Sequence, residues 1–294
     1  MSGASETDIR GRIIDGRALA QAKREEIARR VETLRERGRA VRLDAVLVRD
    51  EDEAALVYAQ SQGRACEQVG IGYHLHEIKA GASYDDVAGR VLLLSSDRSV
   101  SAIMVHLPLP KGVDAYEVQR RIAPEKDVEG VNPANIGNVI YGRESLAPCT
   151  ALAALAMLES TGLELRGARV AVLGASNIVG KPLAALLMQK EATVLSCNKF
   201  TKDLPELTRS ADAIVAAAGA PGLITADLVK PGAVLVDVGT TRVTQEDGST
   251  RLIGDVDFEN VREVASWISP VPGGVGPMTV AMLLRNVVRA AERA

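Results

Sequence analysis

Along residues 14–37, apolar side chains recur at helical spacing within a charged, Ala/Leu-rich stretch, and Gly38 gives that helix a stop. The apolar run at 45–48 suits a buried strand. Residues 54–69 return to helical spacing and end at Gly70, and 73–78 alternate as a strand does. A helix over 84–95 and an apolar strand over 102–109, closed by Pro110, follow. Strands that alternate with helices imply a parallel sheet with crossover connections. Residues 127–138, DVEGVNPANIGN, are rich in turn formers and read as a loop at the carboxyl edge of that sheet, the usual place for a ligand. Pro148 opens a helix running to about residue 160, and the domain boundary is placed there. A second series begins at 169: strand RVAVL, the turn GASNIVG at 174–180, helix KPLAALLMQK, strand ATVLS, helix DLPELTRSA, then strands AIVAAA and AVLVDVG. A last helix, 278–294, is free to return to the first domain. The fold class is therefore α/β with two domains, the second doubly wound (Rossmann-type). Residues 1–148 with 278–294 form the first domain and 149–277 the second.

Composition narrows the partners. An apolar fraction of 47% and a charged fraction of 25% are those of a soluble globular chain. A net charge of -3 gives no general attraction to nucleic acid or anionic membrane. No apolar run nears the roughly 20 residues that span a bilayer, and the polar N-terminus lacks a signal peptide's apolar centre. A cytoplasmic protein is expected. Cys66, Cys149 and Cys197 show neither disulfide nor metal spacing and read as buried thiols. His74 and His76 share a face of an alternating run. With no third ligand in sight, a solvated strand face is expected and no metal site.

Two glycine-rich segments carry candidate chemistry. In the turn after strand RVAVL, Gly174, Ser176 and Gly180 stand near the positions of a dinucleotide fingerprint, whose backbone amides face a phosphate. The end of the next strand, Ser196 to Lys199, has no carboxylate for the ribose hydroxyls of NAD, and Lys199 offers a charge to a 2′-phosphate. NADP is favoured over NAD. The second segment, SPVPGGVGPMT at 269–279, sets glycines between prolines and reads as a stiff, bare loop for a flat ligand.

Together with HLPLP at 106–110, KDVEG at 126–130, PCT at 148–150, GASNIVGKP, KPGAVLVDVG and PVPGGVGPMT, the chain resembles the bifunctional methylenetetrahydrofolate dehydrogenase/methenyltetrahydrofolate cyclohydrolase family over nearly its whole length. The resemblance implies a homodimer, a folate-binding catalytic first domain, NAD(P) on the second, and a folate-holding cleft between them. It places Tyr58, Gln62, His106 and Glu129 in catalytic positions. Tyr58, Val105, His106, Leu107, Glu129, Pro272, Gly273 and Gly274 would meet substrate, and Gly174, Ala175, Ser176, Lys199, Gly239, Thr240 and Gly276 the cofactor.

Several of these positions depart from the family pattern. Its lysine, one helical turn after Tyr58, is Gln62, its strand glutamine is His106, its pterin-reading aspartate is Glu129, and an arginine common after the first glycine is Ala175. Oxidation moves a hydride, which depends on positioning. Hydrolysis must move protons, and glutamine cannot ionise. His106, with an ordinary pKa of about 6.5, either takes over part of the lysine's work or fills space beside Gln62. The activity expected is NADP-dependent oxidation of 5,10-methylenetetrahydrofolate, with hydrolysis to 10-formyltetrahydrofolate in question. The alternative is a non-catalytic or altered-specificity relative that binds another pteridine or small substrate.

Overall fold

A computed structural model describes residues 11–49, 54–244 and 249–293. In chain order its elements are β1 (Arg12–Ile13), α1 (Gly16–Glu36), β2 (Arg42–Val48), α2 (Ala54–Glu67), β3 (Gly72–Ile78), α3 (Tyr84–Ser96), β4 (Ala102–Val105), α4 (Ala115–Gln119), α5 (Pro133–Tyr141), α6 (Cys149–Ser160), β5 (Arg169–Leu173), α7 (Gly180–Gln189), β6 (Thr193–Cys197), α8 (Leu204–Arg209), β7 (Ala213–Ala216), β8 (Val234–Asp237), β9 (Thr241–Thr244), β10 (Thr250–Ile253), α9 (Phe258–Arg262), β11 (Trp267–Ile268) and α10 (Val275–Arg293).

The described residues divide into two compact units, one holding Ala20–Cys149 with residues 280–293, the other residues 11–19 with Thr150–Thr279. Residues 11–19 thus go with the unit built on Thr150–Thr279, whereas the sequence pattern puts them with the first domain; residues 1–10 lie outside the described residues. The reason is β1, which pairs in parallel with β11 (Arg12↔Trp267) and sets the Arg12 guanidinium over the Trp267 ring.

The unit built on Ala20–Cys149 has a parallel sheet in the order β3-β2-β4. A parallel bridge from Ile103 to Asp127 carries the 127–129 segment along the outer side of β4. One face packs Val46, Val48, Ile103 and Val105 on Val87, Val91 and Leu94 of α3. Each such buried side chain contributes about 2 kcal/mol. A reciprocal Ser83–Asp86 capping box starts α3. Buried Ala59, Gln62, Gly63 and Cys66 form one stripe of α2 at helical spacing, so Gln62 is a polar group on an inward face.

In the other unit the sheet runs β1-β11-β8-β7-β5-β6, all neighbours parallel. The strand after β5 lies on one side of it and the next on the other, so a ligand crevice opens at the carboxyl end of β5.

Several boundaries differ from those read in the sequence. Residues 127–138 are not all loop: Asn132 caps α5 by accepting from the Ala134 amide, and Pro133 takes the first helical position. β4 stops at Val105, since Pro108 has no amide to donate to a ladder. α10 starts at Val275, so Gly276 and Pro277 belong to its first turn. His76 is not on a freely solvated face, because its Nε2 lies 2.6 Å from Oδ1 of fully buried Asp44. That carboxylate is already held by Arg42 at 2.6 and 2.9 Å. The three cysteines are buried and free.

Candidate active site

In the first-described unit, four candidate residues converge at the carboxyl edge of the sheet. Tyr58 and Gln62 sit one turn apart on α2, and the Gln62 amide hydrogen-bonds the Tyr58 hydroxyl. His106 continues β4, its amide donating to the Val46 carbonyl at 2.8 Å. Its ring meets that of Tyr58 edge-on, with centroids 6.0 Å apart. Val105 is buried in the strand and gives Glu129 a backbone hydrogen bond, while Leu107 is 51% exposed.

The cluster is short of donors and cations. Gln62 Oε1 and Glu129 Oε2 are closed to solvent and have no hydrogen-bond partner among the described residues. Burial, helped by the Asp127 carboxylate, pushes the Glu129 carboxyl up to about 7 against the one bond from Val105. Burial alone pushes the His106 imidazole down to about 4, so the ring is uncharged at neutral pH. The near-neutral basicity that a general-base role for His106 assumes is not what this environment gives it.

Residues not singled out in the sequence hold this edge. Asp127 Oδ2 accepts from the Asn132 amide and from Asn135 Nδ2 at 2.7 and 2.9 Å. Asn286, fully buried on α10, donates to the Val128 and Ala147 carbonyls at 2.8 and 3.0 Å. The Cys149 thiol donates to the same Val128 carbonyl at 3.2 Å, and burial, then Glu129 and Asp127, raise its pKa well above the ordinary value. The Asn-Pro pair at 132–133 was the available sequence signal; nothing marked Asn286.

In the other unit the turn after β5 fits a dinucleotide phosphate. Gly174 has φ +105, and a Cβ there would lie 2.1 Å from the Ala217 carbonyl oxygen. A Cβ at Gly180 would lie 1.7 Å from the Gly174 oxygen. These glycines seat the N-terminus of α7 directly on the strand end and leave Ser176 exposed ahead of it, with Ala175 partly so. Lys199 is exposed just past β6, 4.9 Å from the Phe200 ring centroid, with no acid at that strand end. Asp255, fully buried, accepts from the Ala218 and Gly219 amides at 2.7 and 2.9 Å and so fixes the turn after β7, across the crevice.

Gly239 and Gly274 are explained by the protein's own packing. Cβ atoms there would fall 2.3 Å from Asp255 Oδ1 and 2.6 Å from the Pro270 oxygen. Thr240, Pro272 and Gly276 are exposed and Gly273 half-buried.

Family models match both parts of the chain: the tetrahydrofolate dehydrogenase/cyclohydrolase catalytic domain over residues 14–129, and the NAD(P)-binding domain of the same family over residues 148–294. The chain belongs to the tetrahydrofolate dehydrogenase/cyclohydrolase family. Among relatives in this family, the bifunctional protein FolD of Cupriavidus pinatubonensis is 51% identical over 96% of this chain and 98% of its own length. The FolD methylenetetrahydrofolate dehydrogenase/cyclohydrolase of Campylobacter jejuni superposes with a TM-score of 0.91 at 38% identity, covering 96% of this chain and 99% of that one. The Trypanosoma brucei enzyme, solved with NADP cofactor and an inhibitor, gives 0.89 at 36% identity, covering 96% and 98%. Family membership accounts for both units at once, the expected fold class included.

Proposed function

We propose that this chain oxidises 5,10-methylenetetrahydrofolate to 5,10-methenyltetrahydrofolate with NADP, and hydrolyses the methenyl product to 10-formyltetrahydrofolate at a lower rate. The observation that carries this reading is the pair of buried, unpartnered acceptors, Gln62 Oε1 and Glu129 Oε2. Buried acceptors without donors are costly unless a ligand supplies the donors. The amino-pyrimidine edge of a reduced pterin carries N–H groups suited to a carboxylate. NADP, when bound, supplies the hydride acceptor. Gly174, Ala175, Ser176, Gly239, Thr240 and Gly276 suit its backbone-facing contacts, and Lys199 suits the 2′-phosphate.

The residues divide the two reactions unequally. Loss of a hydride from the methylene carbon leaves a cation and releases no proton, so oxidation needs no base. Glu129 and Asp127 favour positive charge developing in the bound ligand, and Tyr58, braced by Gln62, flanks the ring site. Hydrolysis adds water to that cation and must discard a proton. Gln62 cannot accept it, and a His106 imidazole with a pKa of about 4 accepts it poorly at neutral pH. The non-catalytic alternative has no observation in its favour beyond the altered positions themselves.

A spectrophotometric assay of both steps, with NADP and NAD, tests this reading. Nicotinamide reduction with methylenetetrahydrofolate is expected in the wild type, faster with NADP. His106→Asn separates two roles: hydrolysis left unchanged excludes the imidazole as its base. We further infer a homodimer, to be checked by light scattering, in the cytoplasm, where three free thiols suit a reducing compartment.

A further inference from the structure

Tyr73, on β3, plays no part in the reading above, yet it reaches the same cluster. Tyr73 and His106 belong to strand positions of the same parity, so both side chains stand on the α2 face of the sheet. The Tyr73 hydroxyl lies 3.5 Å from His106 Nε2, at the outer edge of hydrogen-bond range. Its ring runs past Gly63 of α2, where a Cβ would come within 2.9 Å of Tyr73 Cδ1. Glycine inside a helix is destabilising relative to alanine, and here its lack of a side chain makes the room that the Tyr73 ring occupies.

We propose that Tyr73 is a positioning residue of the site, whose hydroxyl donates to His106 Nε2 and thereby holds the imidazole as its Nδ1–H tautomer. A neutral imidazole has one donor and one acceptor nitrogen, and the neighbour of one nitrogen decides the state of the other. Were Nε2 the donor, the phenolic hydrogen would need an acceptor of its own, and Tyr73 has no other among the described residues. With the hydroxyl as donor, both groups are satisfied by a single contact. Burial keeps the Tyr73 hydroxyl protonated by raising its pKa, and keeps the ring neutral. His106 is then left with Nδ1–H, which makes no hydrogen bond to the protein among the described residues. It serves as a neutral donor toward a ligand atom and not as a base.

The chain has three histidines, so a two-bond 1H–15N correlation spectrum of histidine-labelled protein resolves each one. The wild type is expected to show His106 with its proton on Nδ1. Tyr73→Phe removes the donor and keeps the ring. Gly63→Ala leaves the hydroxyl intact, favours the helix and displaces the ring. Both are expected to shift His106 toward Nε2–H and to lower kcat/KM for methylenetetrahydrofolate about fivefold. A wild-type Nε2–H signal, or an Nδ1–H signal that persists in both variants, overturns the proposal. The kinetic arm rests on the functional reading above and the spectroscopic arm does not. A wild type inactive on folate would therefore defeat that reading and leave the tautomer assignment standing.

Discussion

Glu129 is a carboxylate whose ionisation waits on a partner. With Oε2 unpaired and no cation acting on it among the described residues, its carboxyl sits at about 7. Ligand N–H donors stabilise the charged form only, so the ligand-bound pKa falls and binding releases a proton. Folate affinity is therefore expected to be greatest above pH 7 and to weaken as pH falls below it. Titration calorimetry in two buffers of different ionisation enthalpy measures that proton directly, and binding without proton release would refute the assignment. Glu129→Gln should flatten the pH dependence and weaken binding by about 2 kcal/mol. Gln62→Lys tests the neighbouring position. A buried ammonium can both accept a proton after losing its own and balance Glu129, so hydrolysis is expected to rise at least about tenfold while oxidation changes little. Equal gains in both steps would place the effect in binding instead.

At the next scale, whole elements set the cofactor site, through a turn with no spare volume. Gly174→Ala puts a methyl against the Ala217 carbonyl at a positive φ. It should cost at least about 2 kcal/mol of stability and weaken NADP more than tenfold. Ser176→Ala, exposed in the same turn, should stay within about 0.5 kcal/mol and separates fold from contact. Denaturation midpoints and NADP titrations of the two variants make the comparison. The strand and helix alternation was legible because each long element shows its own period, and because glycine follows α1 and α2 at Gly38 and Gly70. β1 and β11 were not legible, each being a single pair of residues, too short to show alternation. α5 was hidden by turn-forming residues that are in fact its cap and first position. Of the site, the motif positions could be read. The burial of Gln62 and His106 could not, because polarity in a sequence says nothing of which face a helix or strand end turns inward. Tyr73 escaped notice for a related reason: its partners lie on other elements, and only the sheet register and a missing side chain at Gly63 bring it to His106.

Across the molecule, opposed buried groups shape stability against pH. Glu129 has a folded pKa of about 7 against an ordinary 4.5, so its contribution is complete at low pH and is lost as pH rises between those values. His106 runs the other way. Its folded pKa of about 4 against 6.5 means the unfolded chain binds more protons in that window, and stability grows as pH rises through it. Each group has a limiting slope of about 1.4 kcal/mol per pH unit, so over their common range the two largely cancel. Asp237 in the other unit, raised to about 6 chiefly by burial, adds a falling contribution between 3.8 and that value. The acids that ion pairs or local hydrogen bonds hold below their ordinary range, such as Asp212 and Asp86, add a rising contribution that ends near their unfolded values. With Glu129 and His106 cancelling, the wild-type curve is thus expected to fall with the Asp237 slope from pH 4.5 to about 6 and to level off from there to 6.5, and variants should uncover the two hidden limbs. Glu129→Gln should turn that fall into a level stretch up to about pH 6 and a rise from there to 6.5, because His106 is then opposed by Asp237 alone. His106→Asn should lose stability from pH 4.5 to 7 for the converse reason. Urea denaturation of ligand-free protein at half-unit pH steps gives both slopes. If the two variants bend the curve in the same direction, the buried pair does not carry opposite proton linkage and the electrostatic account of the site fails with it.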